Sequence, residues 1–132
     1  MLKIGLLSGS VFALLSIVLG AFGAHALKEV ISETKLSSFE VGVRYQIYQG
    51  LGLLVIGSMY DKINFDLAWF YRLASLGTIL FSFSIYLSAL GDNIDLSMKL
   101  IGPITPIGGS MIIFSWILFL INIIKHQKKT NS

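Results

Sequence analysis

Long stretches without charge alternate with short charged ones along this chain. No Asp, Glu, Lys or Arg stands between Lys3 and Lys28, between Arg72 and Asp92, or between Lys99 and Lys125, and a shorter gap separates Arg44 from Asp61. Crossing the hydrocarbon of a bilayer takes about 20 apolar residues, roughly 17–25. The pattern predicts four helical spans at about 4–27, 41–60, 69–90 and 106–124, with an amphipathic, interfacial start to the second helix at about 36–44. The first span follows a lysine, as a secretory signal does. Its uncharged run is longer than a signal's core of about 7–15 residues, and three more spans follow, so it reads as a retained helix.

Within the first helix Gly5, Gly9 and Ala13 recur every four residues, and Ser16, Gly20 and Ala24 continue the row one position back. Small residues at this spacing let a neighbouring helix backbone come close. Gly9, Gly20, Gly23 and Ala24 are therefore candidate helix-packing positions, and Gly108-Gly109 at the start of the last helix are candidate partners at the same depth. A ligand channel along that face is the competing reading. In the second helix Ser37 to Glu40 fits a capping box. Glu40 and Arg44 stand one turn apart as an ion pair, and Gly42, Gln46, Gly50 and Leu53 form a small-and-polar line. Asp66 is a candidate N-cap for the third helix. Trp69, Phe70 and Tyr71 beside Arg72 read as an interfacial anchor, and Gly91-Asp92-Asn93 as a helix-ending turn. Pro103 and Pro106 break the start of the last helix. Thr105 then serves as its N-cap and Pro106 as its first residue, and the basic tail Lys125-His126-Gln127-Lys128-Lys129 is expected to fray.

Composition agrees with a membrane. Of 132 residues 55% are hydrophobic and 13% charged, against about 25% charged in a soluble domain. The net charge of +3 is scattered along the flanks of the spans and forms no nucleic-acid patch. The absence of cysteine excludes disulfides and thiolate chemistry. Basic residues stay on the cytoplasmic side. Lys3, Lys62, Arg72, Lys125, Lys128 and Lys129 outweigh Lys28, Lys35, Arg44 and Lys99, so both termini are expected to be cytoplasmic. The class is thus all-α, a single integral membrane four-helix bundle over residues 1–132, multi-pass in the plasma membrane of a bacterium.

That topology brings His25, Glu40, Arg44, Gln46, Gln49, Tyr86, Ser88 and Thr105 into the outer half of the bundle, with Trp116 the main polar group elsewhere. Three readings compete. These groups bond one another between helices. Alternatively, His25, Arg44, Gln46, Gln49, Tyr86 and Thr105 bind a lipid headgroup or a partner helix, with Arg44 and the start of the last helix holding a phosphate or carboxylate. The third reading is a small oligomeric solute transporter working through Glu40 or His25, although no carboxylate lies deep in a span. No nucleophile, base and orienter form a recognisable enzyme motif. His25 and His126 are expected at opposite faces, so no metal or other cofactor is expected. The leading expectation is a non-enzymatic protein whose partners are membrane lipid, a second copy or another membrane protein.

Gly20-Ala21-Phe22-Gly23-Ala24-His25, Tyr45-Gln46, Gly77-Thr78-Ile79-Leu80-Phe81-Ser82 and Ile104-Thr105-Pro106-Ile107-Gly108-Gly109 together resemble a family of small inner-membrane proteins of the YgdD/YwdK type. It is known as domain of unknown function 423, and eukaryotic transmembrane protein 256 looks like a relative. The resemblance covers nearly the whole chain and implies fold and location, without an activity to transfer. Two positions depart from it: the family commonly has histidine where Gln49 stands, and often glycine where Phe83 stands. An amide at Gln49 keeps a hydrogen bond but cannot titrate.

Overall fold

The computed structural model describes residues 2–91 and 98–130. Four long helices make up most of them, with no strand among the described residues. Helix α1 runs Leu2–Val18, passes through a π-helical turn at Leu19–Gly23 and finishes in an α turn at Ala24–Leu27. Helix α2 is Glu33–Ser58, α3 is Ala68–Leu90 and α4 is Ile104–Thr130. A 3-10 turn at Tyr60–Lys62 lies in the α2–α3 connection, and a single α turn at Met98–Ile101 precedes α4.

Each long helix packs mainly on its sequence neighbour: α1 on α2, α2 on α3, α3 on α4. Helix α1 touches α3 lightly, and any α1–α4 contact is marginal among the described residues. The helices thus form a folded row with α2 and α3 at its centre. Two apolar clusters hold it. Phe12, Leu53, Ile56, Leu67, Phe70, Tyr71 and Ala74 fill the end that carries the 59–67 connection, and Phe39, Tyr86 and Ala89 fill the 28–32 end.

Glycine sets the spacing at two seams. A Cβ on Gly9 would lie 2.7 Å from the Gly50 carbonyl oxygen, and one on Gly50 would lie 2.9 Å from the Ala13 nitrogen, so α1 and α2 touch backbone to backbone. Helices α3 and α4 do the same, with a Gly77 Cβ 2.9 Å from the Gly108 oxygen and Gly108 set against the backbone of Phe81. Close backbone approach of this kind is how small residues join helices in lipid. The partner of Gly108 is therefore Gly77 on α3, and the expected pairing of Gly108-Gly109 with Gly20–His25 does not occur. Gly20 is exposed, with Val43 Cγ1 3.2 Å from its Cβ position, while Gly23 faces the Phe39 ring at 3.4 Å. Ala24 packs on the Phe39–Tyr86 cluster, and Gly109 meets only the edge of the Phe81 ring at 3.5 Å.

Several helix ends differ from expectation, each for a local reason. Helix α2 starts at Glu33 because Ser32 is its N-cap, its hydroxyl accepting the Lys35 N–H at 3.3 Å. Ser37 therefore lies inside the helix, and the capping box with Glu40 does not form. The N-cap position of α3 is Leu67, one residue after the expected Asp66, although the Asp66 Oδ1 still accepts the Ala68 N–H at 3.0 Å. Helix α4 begins at Ile104, two residues before Pro106, which sits within the first turn where a missing N–H costs no intrahelical bond. Thr105 is thus not an N-cap. The tail does not fray as expected; α4 continues as helix to Thr130. Gly91 caps α3 with φ of −53°, a right-handed conformation, and Asp92 and Asn93 of the expected turn lie outside the described residues.

Four helices do not yield four equally apolar spans. Three segments are long and apolar enough to cross a membrane: Lys3–Leu27, Ala68–Leu90 and Lys99–Lys128. Helix α2 has the length, at 26 residues, but Glu33, Lys35, Glu40 and Arg44 occupy its first half. Its uncharged remainder, Tyr45 to Ser58, falls short of the roughly 17 residues that the shortest spans take.

Candidate functional site

The polar residues of α2 meet those of the other three helices near mid-length. Gln46 is fully buried at 0% exposure. Its Nε2 donates to the Phe12 carbonyl of α1 at 3.1 Å, and its Oε1 accepts from the Tyr86 hydroxyl of α3 at 2.7 Å. One side chain so joins three helices. The Phe12 oxygen also accepts from the Ser16 hydroxyl at 2.7 Å. Four residues before Gln46, the Gly42 carbonyl accepts from Ser82 of α3 at 2.9 Å. There is room for this because Gly42 has no side chain; a Cβ would lie 2.8 Å from the Tyr86 ring.

Gln49 turns toward α4, where its Oε1 accepts the Trp116 indole N–H at 3.1 Å. Gly52 makes space for that indole, its Cβ position 2.9 Å from the ring. Thr105 and Ser84 share a hydrogen bond of 2.6 Å between α4 and α3, so the threonine that was expected to cap its own helix links two helices instead. Trp116 belongs to the same system and is no isolated exception. Gln46 and Gln49 sit close to the middle of α2 and Trp116 close to the middle of α4, whereas Tyr86 lies near the C-terminal end of α3 and Thr105 in the first turn of α4. Interhelical bonds of this kind contribute about 0.6 kcal/mol each on average in a membrane protein.

The expected binding set thus divides in two. Gln46, Gln49, Tyr86 and Thr105 come together and bond to neighbouring helices. His25 and Arg44 do not join them; both are exposed. Glu40 is exposed too, and among the described residues no salt bridge joins it to Arg44, so the expected structural ion pair is not formed. Beside Arg44, Tyr45 and Tyr48 are 45% and 55% exposed. Their rings meet edge to face at 5.9 Å, and Tyr45 packs in the same way on Phe81 at 5.3 Å. The uncovered line continues through Leu51 and Val55, giving one stripe along the central helix.

At the 59–67 end the aromatic anchor splits by helical rotation. Trp69 faces outward with the Arg72 guanidinium 5.3 Å above its ring, whereas Phe70 and Tyr71 turn into the core. An open groove of about 750 Å³ lies between the end of α2, the connection after it and the end of α4. Ile56, Met59, Phe65 and Phe119 wall it, with Lys62 and His126 at its polar margin. His126 packs on the Phe65 ring at 5.1 Å, and its Nδ1 lies 2.9 Å from the Asn122 carbonyl oxygen. Sequence reading did not single out this groove, nor the seats of Tyr71 and Ser75; each depends on which way neighbouring helices turn their faces.

A small all-helical membrane protein, pinned together by a buried polar layer and two glycine seams, is the class these features define. The chain belongs to the family described as protein of unknown function (DUF423), whose model matches residues 19–109. It is 36% identical over 124 residues to a UPF0382 membrane protein of Staphylococcus haemolyticus, covering 94% of this chain and 98% of that protein. It is 34% identical over 130 residues to the UPF0382 membrane protein YwdK of Bacillus subtilis, covering 95% and 99% of the two chains. A UPF0382 membrane protein of Staphylococcus aureus is 38% identical over 120 residues, covering 91% and 94%. No solved structure matches the chain.

Proposed function

We propose that this is a non-enzymatic protein of the bacterial cytoplasmic membrane, crossing it four times with both termini in the cytoplasm, that holds a lipid or a partner helix against the exposed face of α2. The observation that carries the reading is the uncovered stripe of Arg44, Tyr48, Leu51 and Val55 on a helix whose buried polar side chains bond its neighbours. Charged side chains within membrane proteins generally pair with one another or with backbone carbonyls. Arg44 has no ion pair among the described residues. A lipid phosphate, or a carboxylate on a second copy or another membrane protein, would give its planar guanidinium a two-point partner. Tyr45 and Tyr48 beside it supply amphipathic rings of the kind enriched at membrane interfaces. The low apolarity of α2 supports the same view, since a helix of this composition benefits from a partner on its open face.

The transporter reading draws no support from the site. Glu40 and His25 are exposed near the 28–32 end, and the central polar groups bond across the helix seams. Native mass spectrometry of the gently purified protein tests the binding reading. Arg44→Ala is expected to lose the co-purifying lipid or partner copy without loss of fold, because Arg44 is exposed and has no ion pair among the described residues. His25→Ala is the companion variant. Unchanged retention in both variants would refute the proposal and leave the polar layer with a structural role alone.

A further inference from the structure

A second feature lies between α1 and α3 at the 59–67 end, apart from the α2 stripe. A cleft of about 270 Å³ opens between Ile4 of α1 and the first two turns of α3, where it is lined by Ala68, Tyr71, Arg72 and Ser75. Tyr71 is 2% exposed. Its hydroxyl oxygen and that of Ser75 are the two buried side-chain polar atoms without a hydrogen-bond partner among the described residues. Buried hydroxyls are nearly always bonded, and leaving one unmet is costly. Both stand on one face of α3, one turn apart. Gly5 of α1 makes room for the tyrosine: a Cβ there would lie 2.8 Å from the Tyr71 hydroxyl oxygen.

The surroundings define what would fill it. Arg72 is exposed at the mouth and Lys3 is exposed on the residue before Ile4, so the cleft is cationic at its rim. The positive end of α3 adds to this, since the cleft lies over that helix's first turns. The acidic Asp66 precedes the same helix, its carboxylate accepting the N–H of Ala68, which lines the cleft. The Trp69–Arg72 pair marks the level of a membrane surface. Beyond the cleft, toward the middle of the helices, Leu7 and Leu76 are exposed as apolar surface. An occupant at this position needs acceptor oxygens and negative charge at the rim and hydrocarbon below it.

We propose that this cleft binds the phosphate of an anionic membrane phospholipid, with the Tyr71 and Ser75 hydroxyls donating to its oxygens and Arg72 pairing with its charge. The acyl chains then lie along Leu7 and Leu76. The volume is too small for a whole lipid, so the cleft takes the headgroup alone.

The test is native mass spectrometry of the full-length protein titrated with phosphatidylglycerol, with phosphatidylcholine and inorganic phosphate as separate arms. The wild-type protein is expected to retain one phosphatidylglycerol in preference to phosphatidylcholine. Tyr71→Phe and Ser75→Ala should each weaken it about ten-fold, as loss of a hydrogen bond to a charged group does. Tyr71→Phe keeps the ring, so thermal stability should be unchanged or raised while binding falls. Ser8→Ala, which removes an exposed hydroxyl, should bind as wild type does. Four results would overturn the proposal: no retained lipid in the wild-type protein, equal retention in Tyr71→Phe and Ser75→Ala, no preference for the anionic lipid, or inorganic phosphate displacing the lipid at equal concentration. Arg44→Ala should leave this binding intact, which separates its outcome from that of the α2 stripe.

Discussion

Gly108 and Gly109 are chain neighbours in the same helix, and one methyl group added to each should have opposite effects. On Gly108 the added Cβ would meet the Phe81 nitrogen, lie 2.8 Å from the Phe81 Cα and 2.8 Å from the Gly77 oxygen. All three are backbone atoms of α3 and no rotamer change moves them away. Ordinary carbon contacts begin near 3.4 Å, so the helices must separate by more than half an ångström, and overpacking of this kind costs about 1–3 kcal/mol. On Gly109 the nearest atoms are Phe81 Cδ2 and Cε2 at 3.5 and 3.6 Å, an ordinary contact. Alanine is favoured over glycine in a helix by up to about 1 kcal/mol. That preference acts at both positions and cancels from the difference between the two variants. Gly109→Ala should therefore be neutral or stabilising, and Gly108→Ala less stable than Gly109→Ala by about 1–3 kcal/mol. Reversible unfolding in mixed micelles of mild detergent and dodecyl sulfate, followed by far-ultraviolet circular dichroism, measures both. Equal stability of the two variants would refute backbone contact between α3 and α4 at Gly77 and Gly108.

Three further outcomes are expected. Gln46→Leu should lower stability by about 1 kcal/mol, since it removes two interhelical bonds of about 0.6 kcal/mol each; a double-mutant cycle with Tyr86→Phe should show coupling of about one such bond, and zero coupling would contradict the Gln46–Tyr86 contact. Trp116→Phe should leave the ring packing near Gly52 but lose the bond to Gln49, costing about 0.6 kcal/mol in the same assay, with no further loss in a Gln49→Leu background. Ser32→Ala should lower stability by about 0.5–2 kcal/mol through loss of the α2 cap, whereas Ser37→Ala, within the helix, should change it little; the reverse order would restore the start of α2 to Ser37.

Helix number and kind were legible because charge spacing in a membrane chain is nearly a map of its spans. The caps were harder. Asp66 was found as a side chain bonding the start of α3, one residue before the N-cap, but Ser32 and Ser37 both precede residues able to begin a helix, and the choice rests on a geometry that sequence does not carry. The Trp69-Phe70-Tyr71 run shows a related limit: successive residues turn about 100° around a helix, so an aromatic cluster in sequence does not become one in space. Candidate packing glycines were visible as a row, yet spacing along one helix is silent about which neighbour it meets. Gly108 thus found Gly77 instead of Gly20. The polar layer was recognised by its residues, but not the neighbour each one meets. Its members were grouped by the membrane face they approach, while Gln46 bonds wherever the α1 carbonyl and the Tyr86 hydroxyl both reach it.

The row arrangement bears on how the protein is made. A helix that packs chiefly on the one before it can dock as it emerges, without waiting for a distant part of the chain. Contacts that are local in sequence close quickly, and domains form from the N-terminal side during synthesis. Helix α2, the least apolar of the four, arrives when α1 is already in place to offer the Phe12 carbonyl and the glycine groove. Its second polar partner, Tyr86, follows with the next helix. If α2 crosses the bilayer as proposed above, a segment of marginal apolarity need not enter it by itself, and the order of the genetic message would set the order of assembly.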